Sequence, residues 1–230
     1  LSTLIGLKSS KESAQNEELQ AVAPHNKLGK KILFVDYRDS FVHNLAAYFR
    51  EAGCDVITLR TGFPEHKLDE IMPDLVLLSP GPGTPEQFGM SQLITKLISR
   101  QLPIFGVCLG HQGLGQYFGA KLGQLPLPVH GKETKVLHTQ SSILTEIETP
   151  FEVGRYHSLY LEEENFPKDL EILARTEFFS ASIDPFPVIM AFRHKQLPIA
   201  GVQFHPESIM TLKGQAGHKI INNVIKELAK

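Results

Sequence analysis

Ile104-Phe105-Gly106-Val107-Cys108-Leu109-Gly110-His111-Gln112 is the stretch on which the reading of this 230-residue chain turns. Its first four residues are a short apolar run of the kind that forms a strand buried on both faces. Gly110 then opens a helical stretch with no intervening loop, so Cys108 sits at a strand-to-helix elbow. Such elbows recur where strands and helices alternate, and the residue at the turn is pushed out at the carboxyl end of the sheet.

Working outward, the same alternation spans the chain from Lys31. Ile32-Leu33-Phe34-Val35 reads as a strand, followed by a helical period through Phe41, Leu45, Tyr48 and Phe49. Val56-Ile57-Thr58-Leu59 and Leu75-Val76-Leu77-Leu78 read as further central strands. After a Pro/Gly loop come a helix through Leu93, Leu97 and Ile98 and the strand at Ile104. Residues 120–204 are richer in short strands, which predicts an antiparallel extension. Ile220, Ile221, Val224, Ile225 and Leu228 line the apolar face of a closing helix. The expected fold is α/β: a mostly parallel central sheet with helices on both faces, plus a small antiparallel extension.

Composition narrows the function. A formal net charge of −2 carries no electrostatic footprint for nucleic acid. No apolar run approaches the roughly 18 residues that span a bilayer. The two cysteines, Cys54 and Cys108, could form one disulfide, but free thiols in a reducing, cytoplasmic setting are the simpler reading. Scattered histidines give no metal-ligand spacing, and no Rossmann or P-loop fingerprint follows Gly81-Pro82-Gly83. Residues 1–30 are polar and read as a linker or the tail of a preceding domain, with 31–230 as the folded domain. The start at Leu1 fits the C-terminal piece of a longer polypeptide; a cloning boundary or processing accounts for it equally.

Three groups carry candidate chemistry. Cys108 lies between Gly106 and Gly110, small neighbours that a tight elbow needs, and the N-terminus of the following helix favours its thiolate. A buried, inert cysteine is the competing reading. His205 follows the run Ile199 to Phe204, and Glu207, two residues on, can hydrogen-bond its imidazole. Alone these are ordinary loop residues; beside Cys108 they become a base and its orienting acid. Ser79-Pro80-Gly81-Pro82-Gly83-Thr84-Pro85 follows another apolar strand. It is either a simple turn or, with the Leu109 amide, a source of backbone N–H groups for an oxyanion.

Taken together, Ser79 to Gly83, Gly106 to Gln112 and Phe204-His205-Pro206-Glu207-Ser208 resemble the three motifs of class I (triad) glutamine amidotransferases, in that family's order. Val35 to Phe41 and Arg155-Tyr156-His157-Ser158-Leu159 resemble the members serving chorismate enzymes. The resemblance implies that Cys108 attacks the amide carbon of L-glutamine, assisted by His205 and Glu207. It implies that Gly83 and Leu109 stabilise the oxyanion, and that Gly81, Pro82, Gln112, Ser158 and Leu159 hold substrate. His111 and His157 are read as structural.

The ending Pro198 to Thr211, with His130-Gly131-Lys132 and Val153 to Tyr156, resembles versions fused behind a chorismate-binding synthase. The role so implied is the glutaminase component of an anthranilate synthase, in tryptophan biosynthesis. It would deliver ammonia to a chorismate-binding subunit or fused domain, with no cofactor in this domain and Mg²⁺ only in that partner. The alternatives are the same service for 4-amino-4-deoxychorismate or 2-amino-2-deoxyisochorismate synthase. A cysteine peptidase or γ-glutamyl hydrolase of related fold is the alternative from another class.

Overall fold

A computed structural model of the chain describes residues 28–180 and 183–229. The linker or tail expected over residues 1–30 lies, up to residue 27, outside the described residues. One nine-stranded sheet runs through the rest. Strands β1 (Lys31–Asp36), β2 (Asp55–Arg60), β3 (Leu75–Leu78), β4 (Ile104–Val107) and β9 (Ile199–Val202) are parallel neighbours in the order β2-β1-β3-β4-β9. The sheet continues antiparallel through β8 (Ile183–His194), β7 (Leu170–Ser180), β5 (Leu122–His138) and β6 (Phe151–Leu161).

Side chains of the parallel strands alternate between two cores, as a pleat of period two requires. Ile32, Phe34, Leu75, Leu77, Phe105 and Val107 face helices α1 (Val42–Glu51) and α5 (Ala216–Leu228), through Leu45, Phe49, Ile220, Ile221 and Val224. Leu33, Val35, Val76, Leu78 and Ile104 face α3 (Met90–Ser99) and α4 (Leu109–Tyr117), through Ile94, Leu97, Leu109 and Leu114. Both faces of the sheet are thus covered. Each fully buried Leu, Ile or Phe contributes about 1.5–3 kcal/mol, so the apolar runs read in the sequence are also what holds the sheet between its helices.

Two expectations need correction. Val56 to Leu59 is not a central strand: β2 is at the edge of the sheet, and its residues are only half-buried or exposed. The antiparallel strands between residues 120 and 204 are not short; only the parallel β9 is. β5, β6, β7 and β8 have 17, 11, 11 and 12 residues. Bulges in β5, between Gln124 and Val129 and between His130 and Lys132, carry it past residues that would otherwise break it.

Candidate active site

The site lies where the carboxyl ends of β4 and β9 meet. These strands pair in parallel, with Gly106 opposite Gly201 and Val107 opposite Val202. The next residue on β4 is Cys108, whose amide donates to the Val202 carbonyl at 2.9 Å. Cys108 has φ 53° and ψ −100°, a conformation that a side-chain-bearing residue adopts only when its surroundings impose it.

The flanking glycines impose it. A Cβ on Gly106 would stand 2.5 Å from the carbonyl carbon of Gly110, and one on Gly110 would run into the Leu78 carbonyl of β3. The two glycines therefore let α4 sit directly on the sheet and force the chain through the elbow. α4 starts at Leu109, so the Leu109 amide is one of the first-turn donors with no acceptor inside the helix.

Beyond β9, the His205 amide donates to the Gly154 carbonyl at 3.3 Å, and the Thr211 hydroxyl donates to the His205 carbonyl at 2.8 Å. The same hydroxyl accepts from the Gly154 amide at 3.1 Å, which ties β6 to this turn. The rings of Phe41 and Tyr156 pack edge-on against the imidazole, with centroids 5.2 and 5.1 Å away. His205 Nδ1 and Glu207 Oε1 are 2.7 Å apart, with both side chains buried. Nε2 is buried and has no hydrogen-bond partner among the described residues. Burial works against a charge on this ring. The Glu207 carboxylate and the Cys108 sulfur outweigh it and hold the imidazolium well above the usual histidine range.

The loop after β3 forms the facing wall. Ser79 is buried; its hydroxyl accepts from the Tyr37 amide at 3.0 Å and donates to the Pro80 carbonyl at 2.7 Å. Gly81 is wedged so tightly that a Cβ there would lie 2.6 Å from Leu109 Cδ2 and 2.7 Å from Tyr37 Cβ. Gly83, at φ +74°, turns the chain into the short 3-10 turn Pro85–Phe88. Thr84 and Gln87 cap that turn reciprocally, the Thr84 amide donating to Gln87 Oε1 at 3.0 Å.

Gln112, Ser158 and Leu159 come together less simply. Gln112 Nε2 donates to the Leu159 carbonyl at 2.9 Å and to Gln203 Oε1 at 3.0 Å. Both its hydrogens are committed, so it can meet a ligand only through Oε1. The Leu159 carbonyl also accepts from His157 Nδ1 at 2.8 Å, and Ser158 beside it is half-buried.

His111 and His157 are buried and neutral, each pushed down to about 3, mainly by burial. His111 packs against Phe192 beneath the site, in keeping with a structural role. Sequence reasoning assigned nothing to Gln203, Tyr156 or Thr211. The only available signal was their place inside the quoted motifs.

A cysteine held at an elbow beside an imidazole that a buried carboxylate orients is an arrangement chemically able to carry out thiol-dependent acyl transfer. The sequence matches the family described as Glutamine amidotransferase class-I over residues 33–227, and the chain belongs to that family. Within it, the chain is 37% identical over 197 residues to anthranilate synthase component 2 of Pseudomonas aeruginosa, covering 85% of this chain and 95% of that one. It is 44% identical over 207 residues to an anthranilate synthase of Azospirillum brasilense, covering 90% of this chain but only 27% of that longer protein. Among solved structures, a protein assigned as a GMP synthase component from Thermoplasma acidophilum superposes with a TM-score of 0.72 at 28% identity. The superposition covers 87% of this chain and 94% of that one. The α/β fold is therefore that of the glutamine amidotransferases, with a mixed sheet whose antiparallel part, four of its nine strands, is larger than the small extension expected.

Proposed function

We propose that the chain hydrolyses L-glutamine to glutamate and ammonia, with Cys108, His205 and Glu207 as the catalytic residues. It supplies that ammonia to a chorismate-binding synthase that forms anthranilate. The observation that carries the reading is the pairing of the Cys108 elbow with the buried His205–Glu207 pair at the adjacent strand end.

Cys108 Sγ attacks the amide carbon of glutamine, and the C–N bond breaks as His205 delivers a proton to the departing ammonia. Water then attacks the thioester, with His205 accepting its proton. The C–S bond breaks and glutamate leaves. The Leu109 amide and the Gly83 backbone stabilise the oxyanion of both tetrahedral states. Gly81, Pro82, Gln112, Ser158 and Leu159 hold the substrate, Gln112 receiving the α-ammonium on its Oε1. This chemistry calls for no cofactor in the chain; any Mg²⁺ acts in the partner.

The synthase is a separate polypeptide, as the name of the Pseudomonas relative suggests, or a domain of the same polypeptide, as the length of the Azospirillum one suggests. Both cysteines are free, which suits a reducing cytoplasm. None of the described helices is long and apolar enough to cross a membrane.

The test measures glutamate release from glutamine with a chorismate-binding synthase present, and anthranilate when chorismate is added. Wild type should give both products and Cys108→Ala neither. Undiminished glutamate release by Cys108→Ala would overturn the reading.

A further inference from the structure

The hydrogen bonds beneath Cys108 form one continuous chain, and its proton directions follow from groups that can act in only one sense. Arg155 is 3% exposed, and a guanidinium only donates; its Nε reaches His157 Nε2 at 3.0 Å. His157, kept neutral by burial and by Arg155, therefore carries its proton on Nδ1 and gives it to the Leu159 carbonyl at 2.8 Å. That carbonyl only accepts. The Gln112 atom 2.9 Å from it must then be the amide nitrogen, and the Gln203 atom that meets the second hydrogen, at 3.0 Å, must be Oε1. The orientation of the Gln203 amide is thereby settled, and its Nε2 faces Cys108 Sγ at 3.6 Å. Turning either glutamine over would set donor against donor or acceptor against acceptor.

We propose that Gln203 is a positioning residue for the nucleophile, donating through Nε2 to the Cys108 sulfur and favouring its thiolate. The proposal rests on Cys108 being the nucleophile. A donor held against sulfur is worth most when the sulfur is charged, because hydrogen bonds to ionised acceptors are roughly twice as strong as neutral ones. Gln203 is fully buried and occupies the first position beyond β9, next to Cys108 at the first position beyond β4. Arg155 anchors the far end of the chain by fixing the His157 tautomer, and through the shared Leu159 carbonyl that fixes the orientation of Gln112 and Gln203.

The test is the rate at which iodoacetamide alkylates Cys108, read by mass spectrometry of its peptide. Wild type is compared with Gln203→Met, which keeps the length and removes the donor, and with Gln203→Glu, which sets a carboxylate against the sulfur. Alkylation at pH 7 should slow about tenfold in Gln203→Met and further in Gln203→Glu, since a hydrogen bond to a charged group is worth about a factor of ten or more. kcat for glutamate release should fall in parallel, with KM for glutamine within about threefold. Circular dichroism identifies a folded variant, and either one alone decides. Wild-type alkylation of Cys108 in a folded variant overturns the proposal even if turnover drops. Glutamate release by Cys108→Ala would instead overturn the nucleophile assignment.

Discussion

Gly110 and Gly113 lie one turn apart on α4, and adding a methyl group to each should have unequal consequences. In a helix interior alanine is favoured over glycine by about 1 kcal/mol, a gain available in full to Gly113 and in part to Gly110 in the first turn, before packing is counted. The Cβ of Gly113→Ala meets the Met90 side chain, its sulfur closest and Cγ at 3.2 Å, and the Pro85 Cβ at 3.3 Å. A thioether on three rotatable bonds can swing aside, leaving the net change near zero. The Cβ of Gly110→Ala meets the Leu78 backbone, with the carbonyl carbon at 2.8 Å and the oxygen closer still. Leu78 is on β3, held between β1 and β4, and cannot retreat. The helix must lift instead, and overpacking of this kind costs roughly 1–3 kcal/mol. Taking about 2 kcal/mol between the two variants, Gly110→Ala should melt about 4–8 °C below Gly113→Ala. Lifting α4 also displaces the Leu109 amide and the Cys108 elbow, and a shift of about 1 Å at a reacting centre can cost on the order of 10²-fold in rate. Thermal unfolding followed by circular dichroism and glutaminase kcat at 25 °C are the two assays. A Gly110→Ala protein that melts at or above Gly113→Ala, or keeps wild-type kcat, refutes the packing account of the elbow.

Glu207→Gln should lower kcat by at least about 10²-fold, because it removes the charge that sustains the His205 imidazolium; an effect below threefold would contradict that role. The His205 pKa is raised in the fold, so its stabilising contribution is complete below the unfolded value of about 6.5 and lost as pH rises through the folded value. The gap in melting temperature between wild type and Glu207→Gln should therefore be widest near pH 6 and close towards alkaline pH, and a gap that widens with pH would be inconsistent. Cys108→Gly should melt about 2–4 °C above Cys108→Ala, both being inactive. Glycine relieves φ 53° at a gain of about 1–3 kcal/mol, less 0.5–1 kcal/mol for its greater freedom when unfolded. The reverse order would mean that the elbow is unstrained.

Much of this was legible in the sequence because it is written locally. Leu75 to Leu78 and Ile104 to Val107 are apolar at every position, as strands covered on both faces must be. The closing helix shows its stripe from Ile220 to Leu228, all on buried positions. Val56 to Leu59 misled because an edge strand that meets both cores, Val56 on one face and Ile57 and Leu59 on the other, can be as apolar as a central one; place in the sheet is a property of pairing, not of the run. The six residues of α2 (His66–Ile71) are too few for a helical period to show. In β5, Pro126, Pro128 and Gly131 look like breaks, and only the bulged register with β6 keeps the strand continuous. The site divides the same way. Cys108 stands out by its flanking glycines, whereas His205 and Glu207 stand out only once they are set beside it. The roles of Tyr156, Thr211 and Gln203 depend on which strand ends lie side by side.

That adjacency is the reason for the sheet's strand order. β4 and β9 are nearly a hundred residues apart in sequence, and everything between them is α4 followed by the antiparallel excursion β5 to β8. The last leg of the excursion, β8, pairs antiparallel with β9 and so aims it parallel to β4. Val107 opposite Val202 then brings Cys108 alongside Gln203, with His205 two residues further on. A one-residue slip would turn Gln203 to the other face of the sheet and carry His205 away from the elbow. What prevents the slip lies in the excursion itself: the bridge from Gly154 to His205 and the Thr211 hydroxyl between them fix β9 from the β6 side. The antiparallel extension, which contains none of Cys108, His205 and Glu207, is thus the element that sets where His205 stands relative to Cys108.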